Sequence, residues 1–354
     1  MATNLTTANV HLAAMTIQAQ IEQFSSVNPG TLNVKNGFLD SVYSPANGGN
    51  NILSQVAYPG KASAKTGGTN TPRVLVEYQK PSCVATSDTI APICDNFTES
   101  ADPIGYMDLD FDLVSVRNGK ISEDQFLDIV RNPSDRLNVL LTSAAREILR
   151  DLNKQGIDAF YAQSGKYSDG TASVGATQKS LVIADTTNLN ALQGGWAEVH
   201  TEFQLQESEA PIVVGGKEAM HFMHLGRLGG KGSSLDQAAT MGFGGMFTDI
   251  AVDTQIQATE GDTASRVIAY TPGTVKMLEH FNYTGDRTRF SPTLAKYVIN
   301  IDGYDFDYSL YYDECNETWK WQLSKTCGFF MTPTAAFAPC YDFNQRLTYT
   351  ATTV

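Results

Sequence analysis

Residues 299 to 333 read INIDGYDFDYSLYYDECNETWKWQLSKTCGFFMTP. Tyr304, Phe306, Tyr308, Leu310 and Tyr312 recur at every second position, so an extended chain turns all five to one side. Asp305, Asp307 and Asp313 fall on the other side. Aromatic residues at period two specify a strand with one face in a core. A second strand reads from ETWKWQLSKTCGFFMTP, and a third from RLTYTATTV at the C-terminus. Carboxylates on one strand face invite a hydrolase reading, with Asp305 and Asp307 as a glycosidase-like dyad. Acidic strand faces that meet water are far commoner, and we read the row that way.

Upstream, PIVVG, MFTDIAVD and SRVIAYTPG read as strands, and TVKMLEHFN as a short helix. Between the first two lies IVVGGKEAMHFMHLGRLGGKGS, residues 212 to 233. A phosphate-binding loop needs Gly, four residues, then Gly-Lys-Ser/Thr on a strand–loop–helix frame. Here Gly230-Lys231 is followed by Gly232, and Leu225 stands where the first Gly belongs. His221 and His224 share a helix face, but the zinc-protease pattern needs a spacing of four and a glutamate. We read Gly215-Gly216 as the turn into a helix that carries both histidines, and the later glycines as a loop. His11, His200 and His280 sit in no acid–base motif. No serine-hydrolase elbow and no cysteine-nucleophile signature occur. Neither a metal nor a cofactor is expected, and the chain is not read as an enzyme.

The longest helix is expected from Pro133. Leu137, Leu140, Leu141, Ala144, Ile148 and Leu152 keep helical spacing, and charged residues fill the opposite side. Gly156 either caps it or lies within it, the helix then running on through DAFYAQ. Ser122 with Gln125 forms a capping box for a preceding helix. MDLDFDLVSV, residues 107 to 116, reads as one half-exposed strand. Its three aspartates resemble the start of a calcium loop, yet the required Gly and Glu are missing. SGKYSDGTASVGAT is a polar interruption before the strand SLVIAD and a helical piece from Asn188 to about Glu207. Residues 1 to 30 offer a weak amphipathic helix. Residues 31 to about 100 are rich in Gly, Ser, Asn, Thr and Pro, with one clear strand, RVLVEYQ. A segment that long and poor in core residues folds against something outside its own subunit, or not at all. The whole reads as α+β with mixed sheets.

The composition narrows the partners. The 354 residues carry 25 Lys and Arg against 38 Asp and Glu, a formal charge of -13. Such a chain repels polyphosphate in general, which argues against specific duplex binding. No stretch approaches the roughly 20 apolar residues of a membrane span. The N-terminal residues lack a basic segment and an apolar run, so no secretory signal is expected. The cysteines are Cys83, Cys94, Cys315, Cys327 and Cys340. Their odd number and irregular spacing fit free thiols in a reducing compartment. Asn-x-Thr triplets at Asn4, Asn96, Asn282 and Asn316 carry little weight without secretion.

The order of these features resembles the major capsid proteins of tailed bacteriophages, most closely those of phages that infect Bacteroidetes. The matching positions are Pro272-Gly273, Tyr283 to Asp286, Asp302-Gly303, Asp307, Tyr312, Cys315 and Trp319, within a resemblance covering roughly residues 105 to 354. It implies the Hong Kong 97-like capsid fold. Residues 1–45 would be an N-arm and residues 46–105 an E-loop laid over a neighbouring subunit. Residues 106–184 would form a peripheral domain with a spine helix, 185–285 an axial domain, and 286–354 a return to the peripheral domain. Tyr58, Val74, Val76 and Tyr78 become the candidate intersubunit contacts. The implied partners are copies of the chain in hexamers and pentamers, a separate scaffolding protein, a portal and decoration proteins. Double-stranded DNA would be enclosed by proximity alone, and no membrane is implied. The Lys–Asn crosslink of some members finds no matching motif. An encapsulin-like nanocompartment shell shares the fold and is the alternative.

Overall fold

The structure, a computed structural model, describes residues 36–47, 56–64, 70–79, 104–122, 136–163, 165–168, 171–174, 179–183, 189–205, 210–216, 247–256, 265–283, 288–291, 294–331 and 346–353. The class is α+β, as expected. The chain divides into two compact units, one including Phe111–Gln155 and Glu279–Gly328, the other Lys35–Asp110, Gly156–Leu278 and Phe329–Val354.

The first unit is a helix on an antiparallel sheet. Its strands include β4 (Leu113–Ser122), β12 (Arg289–Ser291), β13 (Leu294–Ile301), β14 (Tyr304–Asp313) and β15 (Thr318–Met331). The six-stranded sheet has the order β11-β15-β14-β13-β12, with β4 also on β15 and β11 spanning Val275–His280. The Tyr304 alternation holds. Phe306, Tyr308 and Leu310 are buried beside Trp319, Trp321, Leu323, Ile299 and Ile301. The Asp302-Gly303 turn takes φ of 53° and 87°, the two left-handed positions of a tight hairpin between β13 and β14.

Helix α2 (Arg136–Gln163) buries Leu141, Ala144, Ala145, Ile148, Leu149 and Leu152 at the spacing of one helix face. Asp151 accepts from Ser115 Oγ at 2.8 Å, and Arg146 stands 3.6 Å from Asp302. Arg117 meets Glu147 at 2.9 Å, but both side chains are exposed, so this pair contributes little. In β4, Gly119 stands opposite Trp321, and a Cβ there would lie 2.4 Å from the indole. The glycine exists to let that ring lie across the backbone.

The second unit contains two sheets. β1 (Val56–Ala64), β2 (Asn70–Gln79) and β3 (Ile104–Asp110) form an antiparallel sheet in that order. The larger sheet has the order β6-β5-β16-β10-β8-β9, with β7 also on β16. Its strands are β5 (Gly165–Ser168), β6 (Thr171–Val174), β7 (Lys179–Ile183), β8 (Ile212–Gly215), β9 (Asp249–Val252), β10 (Ser265–Tyr270) and β16 (Arg346–Thr353). Ile212 to Val214 and Val267 to Tyr270 are all buried, which explains their unbroken apolar runs. Helix α1 (Gly37–Tyr43) inserts Phe38 among the rings of Phe160, Tyr270 and Phe329 at 5.8, 6.4 and 6.0 Å. Helix α3 (Leu189–Leu205) buries Trp196, Val199 and Phe203.

Several expectations need correction. Residues 275–280 are strand β11 and not a helix. Pro272-Gly273 forms a tight turn with Gly273 at φ 85°, and Val275 to Leu278 are buried in succession, leaving no solvent face for a helix. MDLDFDLVSV is broken at Phe111–Asp112, because β3 pairs with β2 while β4 pairs with β15. The polar stretch after α2 is the β5–β6 hairpin. Gly156 lies inside α2, where a Cβ would come within 2.5 Å of the Phe329 ring. Helix α1 was not expected, and strand β1 was not read from the local residues. Ser122 ends β4; the helix expected after it, the N-terminal helix, the His221/His224 segment, Cys83, Cys94 and Cys340 lie outside the described residues. No described helix is long and apolar enough to cross a membrane.

Candidate assembly surface

Strands β1 and β2 are each about 30 Å long at 3.3 Å per residue. The register places Val74 opposite Pro59 and Leu109, and Val76 opposite Val56 and Met107. Tyr78 stands opposite Gly105, and Tyr58 opposite Leu75. Two irregularities, between Val56 and Tyr58 and between Gly60 and Ser63, interrupt the β1 ladder. Tyr58 is thereby out of phase with Val74 and Val76, and the four contact candidates do not share one register face. Val76 is fully buried within its own chain, and Val74 is half-buried.

The acidic strand is a scaffold for turns. Asp307, only 1% exposed, accepts from Asn282 N at 3.0 and 2.8 Å, Asn282 Nδ2 at 2.9 Å and Tyr283 N at 3.1 Å. Both carboxylate oxygens are thus directed at the bend that follows β11. Asp305 accepts from Asn300 Nδ2 at 2.8 Å. Asp313 pairs with Lys320 at 2.6 Å and accepts from Cys315 N and Asn316 Nδ2. The hydrogen bond from Lys320, reinforced by that from Asn316, holds the Asp313 carboxyl down at about 2. A glycosidase needs one carboxyl kept protonated and another facing an open cleft. Here Asp307 is closed off, and Asp305 and Asp313 are bound to neighbours within their own hairpins.

Sequence reasoning missed Lys325. Its period-two relation to Trp321 and Leu323 was the available signal that it points inward. It is 1% exposed, pairs with Glu279 and donates to the Asp305 carbonyl at 2.8 Å. The rings of Phe281, Tyr304 and Phe306 surround Nζ at 5.8, 5.7 and 5.2 Å. This cation is compensated by a carboxylate, a carbonyl and three aromatic faces. Nearby Cys327 is buried, and burial pushes its thiol up to about 12, so it is inert as a nucleophile. Cys315 is free and exposed on the Glu314–Glu317 turn.

A shallow hollow on the outer sheet face is lined by Asn118, Lys120, Ser309, Tyr311, Lys320 and Gln322. It lacks the paired acid and base of a hydrolytic site. Among the described residues no group of three or more His, Cys, Asp or Glu side chains could hold a metal ion.

No family model matches the chain, and no curated protein matches it. Solved structures match over most of the chain. One is from the mature capsid of bacteriophage PhiM1, with 11% identity, a TM-score of 0.46, and coverage of 79% of this chain and 82% of that chain. Another is from the capsid of the Myoviridae phage XM1, with 13% identity, a TM-score of 0.41, and coverage of 86% and 92%. A third is the virus-like particle from Pyrococcus furiosus, with 9% identity, a TM-score of 0.37, and coverage of 90% and 100%.

Proposed function

We propose that the chain is the shell-forming subunit of a tailed-phage capsid, with the Hong Kong 97-like fold, and that its role is structural and not enzymatic. One observation carries the reading. The segment with the poorest core in the sequence folds into a long β1–β2–β3 sheet, an extended shape suited to burying its remaining apolar surface on a neighbour. The order of sequence features from about residue 105 onward supports the same reading.

In this reading residues 1–45 are the N-arm and residues 46–105 the E-loop. Residues 106–184 and 286–354 form the peripheral domain, with α2 as its spine, and residues 185–285 the axial domain. Tyr58, Val74 and Tyr78 meet neighbouring subunits. Val76, already buried, ties β2 to its own chain. Subunits close into hexamers and pentamers, where one modest contact repeated around a symmetric shell accumulates into a stable particle. The net charge of -13 suits a wall that encloses double-stranded DNA without gripping it. A scaffolding protein, a portal and decoration proteins complete assembly in the host cytoplasm before the chain resides in the virion.

Electron microscopy of the expressed chain, alone and with its scaffold, tests the proposal. Closed shells or capsomers are expected. A strictly monomeric protein under all assembly conditions would sink it. Shells that carry a cargo enzyme in place of nucleic acid would move the reading to a nanocompartment.

A further inference from the structure

The sequence contains the Asn-Gly pairs Asn36-Gly37, Asn47-Gly48 and Asn118-Gly119. Asn-Gly is chemically labile, because glycine has no side chain to shield its amide nitrogen. That nitrogen attacks the Asn side-chain carbonyl carbon, a cyclic imide forms and ammonia leaves. Water then opens the ring to aspartate or to isoaspartate, whose main chain is longer by one carbon. The reaction needs only water, and it needs the side chain free to rotate onto the next residue.

Asn47 is not free to rotate. It closes the 3-10 turn Pro45–Asn47, is 0% exposed, and uses every polar atom. Its N–H donates to Ser44 O at 3.0 Å. Its Nδ2 donates to Val42 O at 2.9 Å and to Val275 O at 2.8 Å. Its Oδ1 accepts from Gly273 N at 2.7 Å, and its main-chain O accepts from Lys276 Nζ at 2.7 Å. One side chain thus joins the end of α1 to the Pro272-Gly273 turn and the start of β11. Lys276 is itself buried, which lowers the pKa of its ammonium group.

We propose that Asn47 is a spontaneous modification site that folding alone protects. In the folded chain its bonds hold it away from the reaction. In a chain that stays unfolded it converts, and the product cannot rebuild the junction. An aspartate there presents oxygen where Val42 O and Val275 O require a donor, and it buries a charge. Isoaspartate also displaces the carbonyl that Lys276 meets. Conversion therefore removes late-folding chains irreversibly from the productive pool. The inference stands on the junction itself and does not depend on the proposed function.

Asn118 is the internal comparator, since it is exposed on β4. The full chain is aged in buffer and in urea at mildly alkaline pH, and conversion at Asn47 and Asn118 is read by peptide mass spectrometry. Asn47 is expected to convert more than roughly tenfold slower in buffer than in urea, because reaction in buffer must wait for local opening. After urea is removed, chains carrying aspartate at position 47 should be depleted severalfold from the soluble fraction relative to chains carrying aspartate at position 118, whose side chain is exposed. Equal rates at Asn47 in buffer and urea would overturn the proposal. So would recovery of Asn47-modified chains in the soluble fraction in proportion to their abundance. A third readout is N47D, which should melt below N118D; equal melting would also count against the idea.

Discussion

Asp307 shows how a residue's chemistry is decided by what covers it. Alternation placed it on the face opposite Phe306 and Tyr308, but the expectation that this face meets water fails at Asp307, which is 1% exposed. What alternation could not show is that Asn282 and Tyr283, some 25 positions away, bring two backbone N–H groups and an amide onto its carboxylate. Asp307→Ala should destabilise the protein by about 1–3 kcal/mol, the cost of stranding buried donors. Urea unfolding measures this, and a wild-type midpoint would show that the turn finds its partners elsewhere. The Gly119–Trp321 pair gives a second residue-scale expectation. Gly119→Val forces the indole off its seat and should cost about 1–3 kcal/mol as overpacking. Intact near-ultraviolet circular dichroism and unchanged stability would contradict the close approach. Lys325 was legible as an inward position but not as a tolerable one, because its compensating Glu279 lies on a strand read as a helix.

Elements whose residues repeat with a clear period were legible. The α2 face and the β14 alternation came directly from spacing, and β8 and β10 from short unbroken apolar runs rich in β-branched residues. β11 did not, since Lys276, Glu279 and His280 interrupt its apolar run, although Lys276 is itself buried. β5, β6 and β1 are short or polar and are held by pairing, which a local reading does not see. Burial on α2, β10, β13, β14 and β15 makes a pH prediction. Burial raises the phenols of Tyr161, Tyr270, Tyr297 and Tyr308 above their usual 10.0 and the Cys327 thiol from 9.0 to about 12. Each group ionises more readily in the unfolded chain than in the folded one. Stability is therefore fully present below about pH 9 and is lost as pH rises from there through pH 12. Thermal melts across that range, with tyrosinate absorbance as a second signal, should show unfolding and phenol ionisation together. Free ionisation of all tyrosines in a folded protein would contradict this burial.

At the scale of the whole molecule, the proposed function assigns the hairpin sheet two separate roles, in stability and in assembly. Val76 is buried at home, so Val76→Ala should lower the subunit's own stability by about 2 kcal/mol. Tyr58→Ala and Tyr78→Ala should leave the melting temperature near wild type and reduce particle yield. The segment's poverty of core residues was legible in composition; its strand pairing was not, because the bulged β1 ladder has no regular alternation. The most direct test of the central claim is cryo-electron microscopy of the expressed protein beside a variant whose hairpin tip, residues 60–72, is replaced by a short Gly/Ser linker that leaves Val74 and Val76 in place. The shell account predicts closed particles for the wild type. For the variant it predicts folded subunits or capsomers that do not close. Wild-type protein that stays monomeric with its scaffold present, or a variant that closes shells as efficiently as the wild type, would contradict it.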